Sequence, residues 1–339
     1  MSTDLTTNQP IAHPTLADVA AIAGVSIKTA SRVLNGSANV SADTEDKVKK
    51  AVTLVGYRSN RIARELRGGS LSNIIGMVIS DLANPFYAGL AAGAEESLSK
   101  AGLELILATA RDNGEREKVL IESLLERRVR GLIIVPSAED YSYLHIERRR
   151  GFSFVFVDRP APYLDADTVL VDNQGGINAC VDKLLSLGCK RIALIADNPA
   201  IWTAAERIEG FKKAIVTRKL DSDNSLIISG VHTSIEAEQA TRELLNQKKK
   251  VDGIIAANDL IAFGVGQVKS ALNSNLHVVS FDEFPSASLM GVHTLNHDPQ
   301  RLGRLTADVI MKRMNEPTAD NYQTAVMKVA INEEIQGVA

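Results

Sequence analysis

The sequence predicts an α/β protein: an N-terminal all-α helix-turn-helix head, then a two-lobed body with parallel sheets. Three observations predict it. Residues 15–56 carry apolar residues at helical spacing and no strand-like run. From residue 72, apolar β-branched runs alternate with helical stretches at roughly 25–30 residues, as strand-helix-strand units require. Charge is divided between the two parts. Residues 15–70 sum to +4, with basic side chains Lys28, Arg32, Lys47, Lys49, Lys50, Arg58, Arg61, Arg64 and Arg67. The whole chain is −3, so the remainder carries −7. A small basic head on an acidic body points to a polyanionic partner for the head alone.

The 339 residues suffice for two or three domains at about 100–200 residues each. The composition, 45% hydrophobic and 23% charged, excludes a wholly disordered chain. No apolar run approaches the ~20 residues that span a bilayer. Residues 1–14 are expected to be a polar, disordered tail without the basic start and apolar stretch of a secretory signal. Cys180 and Cys189 form no CxxC or Cys/His cluster, so neither a disulfide scaffold nor structural zinc is expected, and a cytoplasmic location fits.

Each head element has a physical start and stop. Thr15 is a good N-cap with Asp18 in a box-like relation. Leu16, Val19, Ala20 and Ala23 follow on one face, and Gly24 ends the helix. Ser26 caps a second helix whose inward face is Ala30, Val33 and Leu34. Ser41 opens a third, with Val48, Ala51, Val52 and Val55 inside and Gly56 as the stop. Helix, short Gly-containing turn and capped second helix make a helix-turn-helix. The second helix turns Ile27, Lys28, Ser31 and Arg32 outward, a face able to reach base edges and phosphates. A generic three-helix domain with a solvated face fits the same pattern.

Residues 60–67 (NRIARELR) give a separate helical signal, capped by Asn60 and ended by Gly68-Gly69. It is shorter than the ~12–15 residues an isolated helix needs, so it is expected to be ordered only when held. Leu66 among arginines could wedge into a minor groove, or could be a plain linker residue. In the body, apolar runs fall at 74–79, 103–108, 132–135 and 154–157. A second set falls at 192–195, 226–228, 254–256 and 278–281. Unbroken apolar runs mean burial on both faces, hence parallel sheets covered by helices. Two sets of four predict two similar lobes, with a ligand between them at the strand C-termini. Asn84-Pro85 marks a helix start after the first run.

Catalytic signatures are absent. No GxSxG, GxxxxGK[ST] or GxGxxG motif appears. His293 and His297 have i, i+4 spacing in a strand-like segment without partner ligands, so no metal is expected. Asp221 and Asp223 read as a surface loop, and Lys248-Lys249-Lys250 as a helix C-terminus. No cofactor is expected.

The order of motifs resembles the lactose/galactose repressor (LacI/GalR) family of bacterial transcription regulators from Thr15 to about Ile331. The resemblance is carried by TLADVAAIAGVS, TASRVLNG, VSADTEDKVKKAVTLVGYRSN, ARELRGG, ANPFYAGL, RVRGLIIVPS, FVDRP, VLVDNQGG, RIEGFKKA, AANDLIAFG and SFDEF. It implies a head at 15–59, a hinge helix and linker at 60–71, and an effector-binding and dimerisation body at 72–335. That body is similar to periplasmic binding proteins, with lobe 1 at about 72–171 and 294–325 and lobe 2 at about 172–293 and 326–335. It implies that Thr15, Leu16, Ser26, Thr29, Ser31, Asn35, Tyr57 and Asn60 position the head on DNA. Ile27 and Lys28 match positions that vary with operator sequence, and Arg32 an arginine that reads a base edge. Ala63 and Leu66 match the minor-groove contacts of the hinge. Ser59 stands where the family often has Pro, which leaves the approach to the hinge less rigid.

In the body, the resemblance implies an effector site of Phe86, Tyr87, Arg159, Trp202, Thr203, Arg207, His232 and Asp259. An aromatic platform with a carboxylate and a guanidinium is sugar-like chemistry. Phe86 could instead be helix-start packing, and His232 merely exposed. A body helix near 85–101 is implied at the dimer interface. The short polar end, NEEIQGVA, argues against a tetramerisation coil. The implied protein is a homodimeric repressor of a pseudo-palindromic operator, controlled by a small molecule, most simply a sugar. A purine or nucleoside is the alternative within the family; Ile201 stands where purine-responsive relatives can carry an arginine. A sugar-binding module without a DNA role, and an enzyme bearing a DNA-binding head, are the more distant rivals.

Overall fold

Three short helices come first. In the computed structural model, which describes residues 14–34, 40–57, 72–220, 223, 226–317 and 321–332, α1 spans Leu16–Ala23, α2 Ile27–Leu34 and α3 Ala42–Val55. Thr15 makes the full capping box with Asp18, and Gly24 leaves α1 at φ 65°, a conformation that costs glycine little. Ser26 Oγ accepts from the Thr29 N–H at 3.1 Å, and Ser41 accepts from Thr44 to open α3. Val19, Ala20, Ala23, Ala30, Val48 and Ala51 form the small core. Val33 and Leu34, expected inside, are half-buried. Residues 1–72 and 73–339 form two separate units. The expected tail up to residue 13 lies outside the described residues, as do the hinge and linker at 60–71 with Asn60, Ala63 and Leu66. Asn35, Ser59 and Asp221 lie outside them too.

The body holds two parallel sheets. The first unites β1 (Ile74–Ile79), β2 (Glu104–Thr109), β3 (Gly131–Ile134), β4 (Ser153–Val157), β5 (Asp167–Val171) and β11 (Thr324–Met327) in the order β11-β5-β4-β3-β1-β2. The second unites β6 (Ile192–Ile195), β7 (Ile227–Ile228), β8 (Gly253–Ala256), β9 (His277–Ser280) and β10 (Val292–Thr294) in the order β10-β9-β8-β6-β7. All the strand pairings are parallel. The central strands are buried along their length, as sheets covered on both faces must be.

Two sets of four runs therefore understate the sheets. Three strands escape the apolar pattern. β5 begins on a buried aspartate, Asp167, neutralised by Arg313 at 2.5 Å. β10 has only three residues. β11 is a partly exposed edge strand. All four residues of β11 pair with β5, so the second-lobe return begins after Met327 and not at residue 326 as expected. Leu103 and Phe281 lie just outside the strands they were expected to bound. Helix α9 (Ser234–Leu245) is capped by Asn246, so Lys248–Lys250 lie past its end rather than forming it.

Helices cover both sheets: α4 (Pro85–Lys100), α5 (Gly114–Glu126), α6 (His145–Arg149) and α11 (Pro299–Asn315) the first; α7 (Asn173–Ser186), α8 (Trp202–Thr217), α9 and α10 (Asp259–Ala271) the second. Helices α4 and α11 pack almost backbone to backbone. A Cβ on Gly93 would stand 2.0 Å from the Gln300 carbonyl oxygen, and one on Gly303 2.1 Å from that of Leu90. The chain crosses between lobes after β5, after β10 and after β11. The last two crossings are tied by the Leu295–Ile331 bridge and by Asn296 N–H donating to the Ala330 carbonyl at 2.6 Å.

Candidate functional site

The head presents α2 as its polar face. Ile27, Lys28 and Arg32 are exposed, with Ile27 at 55% despite being apolar. Thr29 and Ser31 are half-buried, so two of the expected contact residues also take part in the fold. Leu16 and Tyr57 pack against the head core, and the Tyr57 N–H donates to the Val52 carbonyl at 3.1 Å. Thr15 and Ser26 are exposed caps whose hydroxyls are engaged with their own helix starts.

The second site lies between the lobes, at the C-terminal ends of β1, β4, β6, β8 and β9. It is a cavity of about 250 Å³ with Ser80, Tyr87 and Arg159 from the first lobe and Asp197, Thr203 and Arg207 from the second. It opens on one side into a mouth of about 1010 Å³ and on the other into a chamber of about 750 Å³. Location at strand C-termini, where helix starts and loops supply polar groups, is where α/β proteins hold ligands.

On the first-lobe wall, Arg159 donates to Asp112 Oδ1 and to the Pro136 carbonyl, both at 3.0 Å, and to the Tyr87 hydroxyl at 3.1 Å. Tyr87 in turn donates to Asp158 Oδ2 at 3.4 Å. The acidic neighbours Asp158 and Asp112, with the Tyr87 oxygen, outweigh the burial of the Arg159 guanidinium and hold its pKa above the usual value. Burial pushes the Tyr87 hydroxyl and the Asp158 carboxyl up. Asp158 has φ 71°, a left-handed conformation that Asp tolerates and that recurs at functional sites.

On the second-lobe wall, Arg207 donates Nε–H to Asn173 Oδ1 at 2.8 Å and Nη1–H to the Ala257 carbonyl. Its guanidinium lies 3.8 Å over the Phe281 ring and 4.0 Å from Asp282 Oδ2. Asp282 Oδ1 meets His297 Nδ1 at 2.6 Å. Burial alone would raise Asp282, but Arg207 and His297 outweigh it and hold its pKa low. Its neighbour Asp259 is pushed up to about 6, by burial and by the Asp282 charge. His232, whose side chain is largely exposed, faces Asp197 at 3.2 Å, which raises its pKa.

Of the eight expected residues, six line the cavity: Phe86, Tyr87, Arg159, Thr203, Arg207 and His232. Trp202 stands at the mouth and Asp259 in the opposite chamber. Three hydrogen bonds of Arg159 are already internal, through Nη1 and Nη2, while its Nε, 3.6 Å from Asp158 Oδ2, has no hydrogen-bond partner. Sequence reasoning misses Asp158, Asp282 and His297. Asp158 and Asp282 sit inside FVDRP and SFDEF, each just after a strand, and that placement is the available signal. From the sequence His297 shows only an i, i+4 spacing to His293, where no metal is expected. It stands on the second crossing, its ring 5.0 Å from that of Phe86 and 5.5 Å from that of Phe281. No cluster fit to hold a metal ion occurs among the described residues. No described helix is long and apolar enough to cross a membrane.

Known proteins match both the head and the body. Residues 15–60 match the family described as bacterial regulatory proteins, lacI family. Residues 72–333 match periplasmic binding proteins and sugar binding domain of LacI family. The HTH-type transcriptional regulator CelR of Thermobifida fusca is 31% identical over 321 residues, 91% of this chain and 94% of that one. The ribose operon repressor of Halalkalibacterium halodurans is 28% identical over 335 residues, 95% and 97%. A solved CelR–cellobiose complex superimposes with TM-score 0.68 at 29% identity, covering 94% of this chain and 98% of that one. The Lac repressor dimer bound to operator and the anti-inducer ONPF superimposes with TM-score 0.81 at 25% identity, with the same coverage. A matching head, a matching two-lobed body and full-length relatives place this chain in the LacI family of bacterial regulatory proteins: it is a DNA-binding transcription regulator, not an enzyme.

Proposed function

We propose that this chain is a cytoplasmic homodimeric repressor whose operator affinity is set by a sugar held between its lobes. The cavity at the strand C-termini carries this reading: an aromatic ring, two guanidinium groups and several carboxylates converge there from both lobes. Carboxylate and guanidinium groups take paired hydroxyls, and Phe86 or Trp202 offers an apolar face to a sugar ring. Relatives solved with cellobiose or named for ribose support a sugar as the class. A ligand that contacts both lobes favours the closed arrangement by its differential affinity for it. The head reads DNA through Ile27, Lys28 and Arg32, with Thr15, Leu16, Ser26, Thr29, Ser31, Asn35 and Tyr57 positioning it. Asn60, Ala63 and Leu66 serve the hinge.

A thermal-shift screen of the full chain against pentoses, hexoses, disaccharides and nucleosides tests the reading. A ligand at 100 times its Kd adds about 2.7 kcal/mol of stability. A shift with one saccharide class is expected; a shift with nucleosides alone would overturn the sugar. On DNA, Lys28→Ala and Arg32→Ala are each expected to relax specificity at one operator position. A uniform loss across sequences would reassign that side chain to phosphate.

A further inference from the structure

We propose that the cleft selects its effector by charge, taking an uncharged or amino-bearing sugar and rejecting its phosphorylated or carboxylated counterparts. The inference rests on the reading of the cleft as the effector site and names the ligand class more narrowly. In the central cavity, aspartates at 81, 112, 158, 197 and 282 face the guanidinium groups of Arg159 and Arg207, with His232 beside Asp197 and His297 beside Asp282. Both arginines already lie against acceptors of their own: Asp112 and a carbonyl for Arg159, Asn173 and a carbonyl for Arg207. The far chamber adds Asp259, Glu283 and Asp298, with no Arg or Lys among its described lining residues. At the mouth, Glu139 and Arg111 offset one another. Burial favours a proton on Asp158, yet the acidic surplus survives with that group neutral.

An acidic lining alone would not define a ligand. The independent observation is that buried polar atoms in this same cavity lack partners. Ser80 Oγ, Arg159 Nε and His297 Nε2 have no hydrogen-bond partner; their residues are 1%, 9% and 3% exposed, and all three line the cavity. Buried polar atoms are nearly always satisfied, so such a group marks where ligand or water belongs. His297 Nδ1 is already engaged by the Asp282 carboxylate at 2.6 Å, which leaves Nε2 to a ligand or water. A second anion beside Asp282 and Asp259 would add like-charge repulsion in a desolvated site, which binding sites use to refuse wrong partners.

Two measurements on the full chain test the proposal. Trp202 is the only tryptophan in the sequence and stands at the cleft mouth, so its fluorescence reports the local potential without any ligand. Relative to N-acetyltryptophanamide, the ratio of iodide to caesium quenching constants is expected to fall by about threefold or more, as an anionic cleft requires. Iodide quenching at parity with caesium would overturn the proposal. Calorimetric titration then compares matched sets: glucose, glucosamine and glucose 6-phosphate; galactose and galacturonate; ribose and ribose 5-phosphate; cellobiose and cellobionate. Whichever scaffold binds, the anionic form is expected to bind about tenfold or more weakly, given the cost of like charges in such sites. An anionic form binding as tightly as its neutral partner overturns the inference. If no saccharide binds while caesium selectivity persists, the sugar reading fails and the charge selection stands.

Discussion

Arg207 belongs both to the fold and to the candidate site. Its Nε and Nη1 donate to different acceptors, Asn173 and Ala257, while its face covers Phe281. Lysine cannot reproduce that fork. Arg207→Ala is expected to leave operator binding in place and abolish the response to effector, as read by a gel-shift titration with and without ligand. It is also expected to lower stability by about 3 kcal/mol, because Asp282 loses its buried cation. Asp259 gives a pH signature. Its folded pKa near 6 lies above the ordinary 3.8, so the native state holds this proton more tightly than the unfolded chain. Its contribution is therefore complete below about pH 4 and is lost as pH rises through 6. Asp259→Asn removes that dependence. The stability of the variant relative to the parent is expected to rise by about 2–3 kcal/mol between pH 4 and pH 7, since each tenfold difference in proton affinity is worth about 1.36 kcal/mol. A flat difference across that range would show the carboxyl to be unperturbed. Arg207 and Asp259 are legible in the sequence because each stands at a fixed place in a recognisable motif. Asp282 also stands in a motif, SFDEF, but its pairing with His297 is not legible, because it forms across a crossing of the chain.

At the scale of elements, start and stop signals are the most readable. Thr15, Ser26, Ser41, Asn84 and Asp298 each cap the helix that follows, because a side-chain oxygen two or three residues upstream satisfies an otherwise orphaned N–H. Short strands are less readable. β10 pairs with β9 and β11 with β5, so these strands are defined by a tertiary neighbour that local periodicity does not announce. The α4–α11 pair depends on glycine for another reason, closeness of approach. Gly303→Ala places a Cβ against the Leu90 carbonyl and the Ala94 nitrogen, backbone atoms that cannot rotate away. It is expected to destabilise the body by about 1–3 kcal/mol through overpacking, seen as a lower midpoint in denaturant melts. An unchanged midpoint would mean that α11 shifts at no cost.

At the scale of the molecule, function depends on a basic head and an acidic, two-lobed body within one chain. If two heads engage one palindromic operator, the salt dependence of binding is expected to be about twice as steep as for a single half-site, since the slope scales with phosphates neutralised. Equal slopes would argue for one head at a time. Moving the assembly from 1:99 to 99:1 between DNA-binding and released states needs about 5.5 kcal/mol of differential ligand affinity. The division into head and body, the helix-turn-helix, the parallel lobes and the family are all written in the order of residues. They rest on periodicity, caps and motif order, which are properties of neighbours along the chain. The charge of the cleft and its unpartnered polar atoms emerge only on folding. The fold joins Tyr87 to Arg159 across 72 residues and Arg207 to Ala257 across 50, and the potential of a cavity is a sum over side chains that sequence separation keeps far apart until the chain is packed.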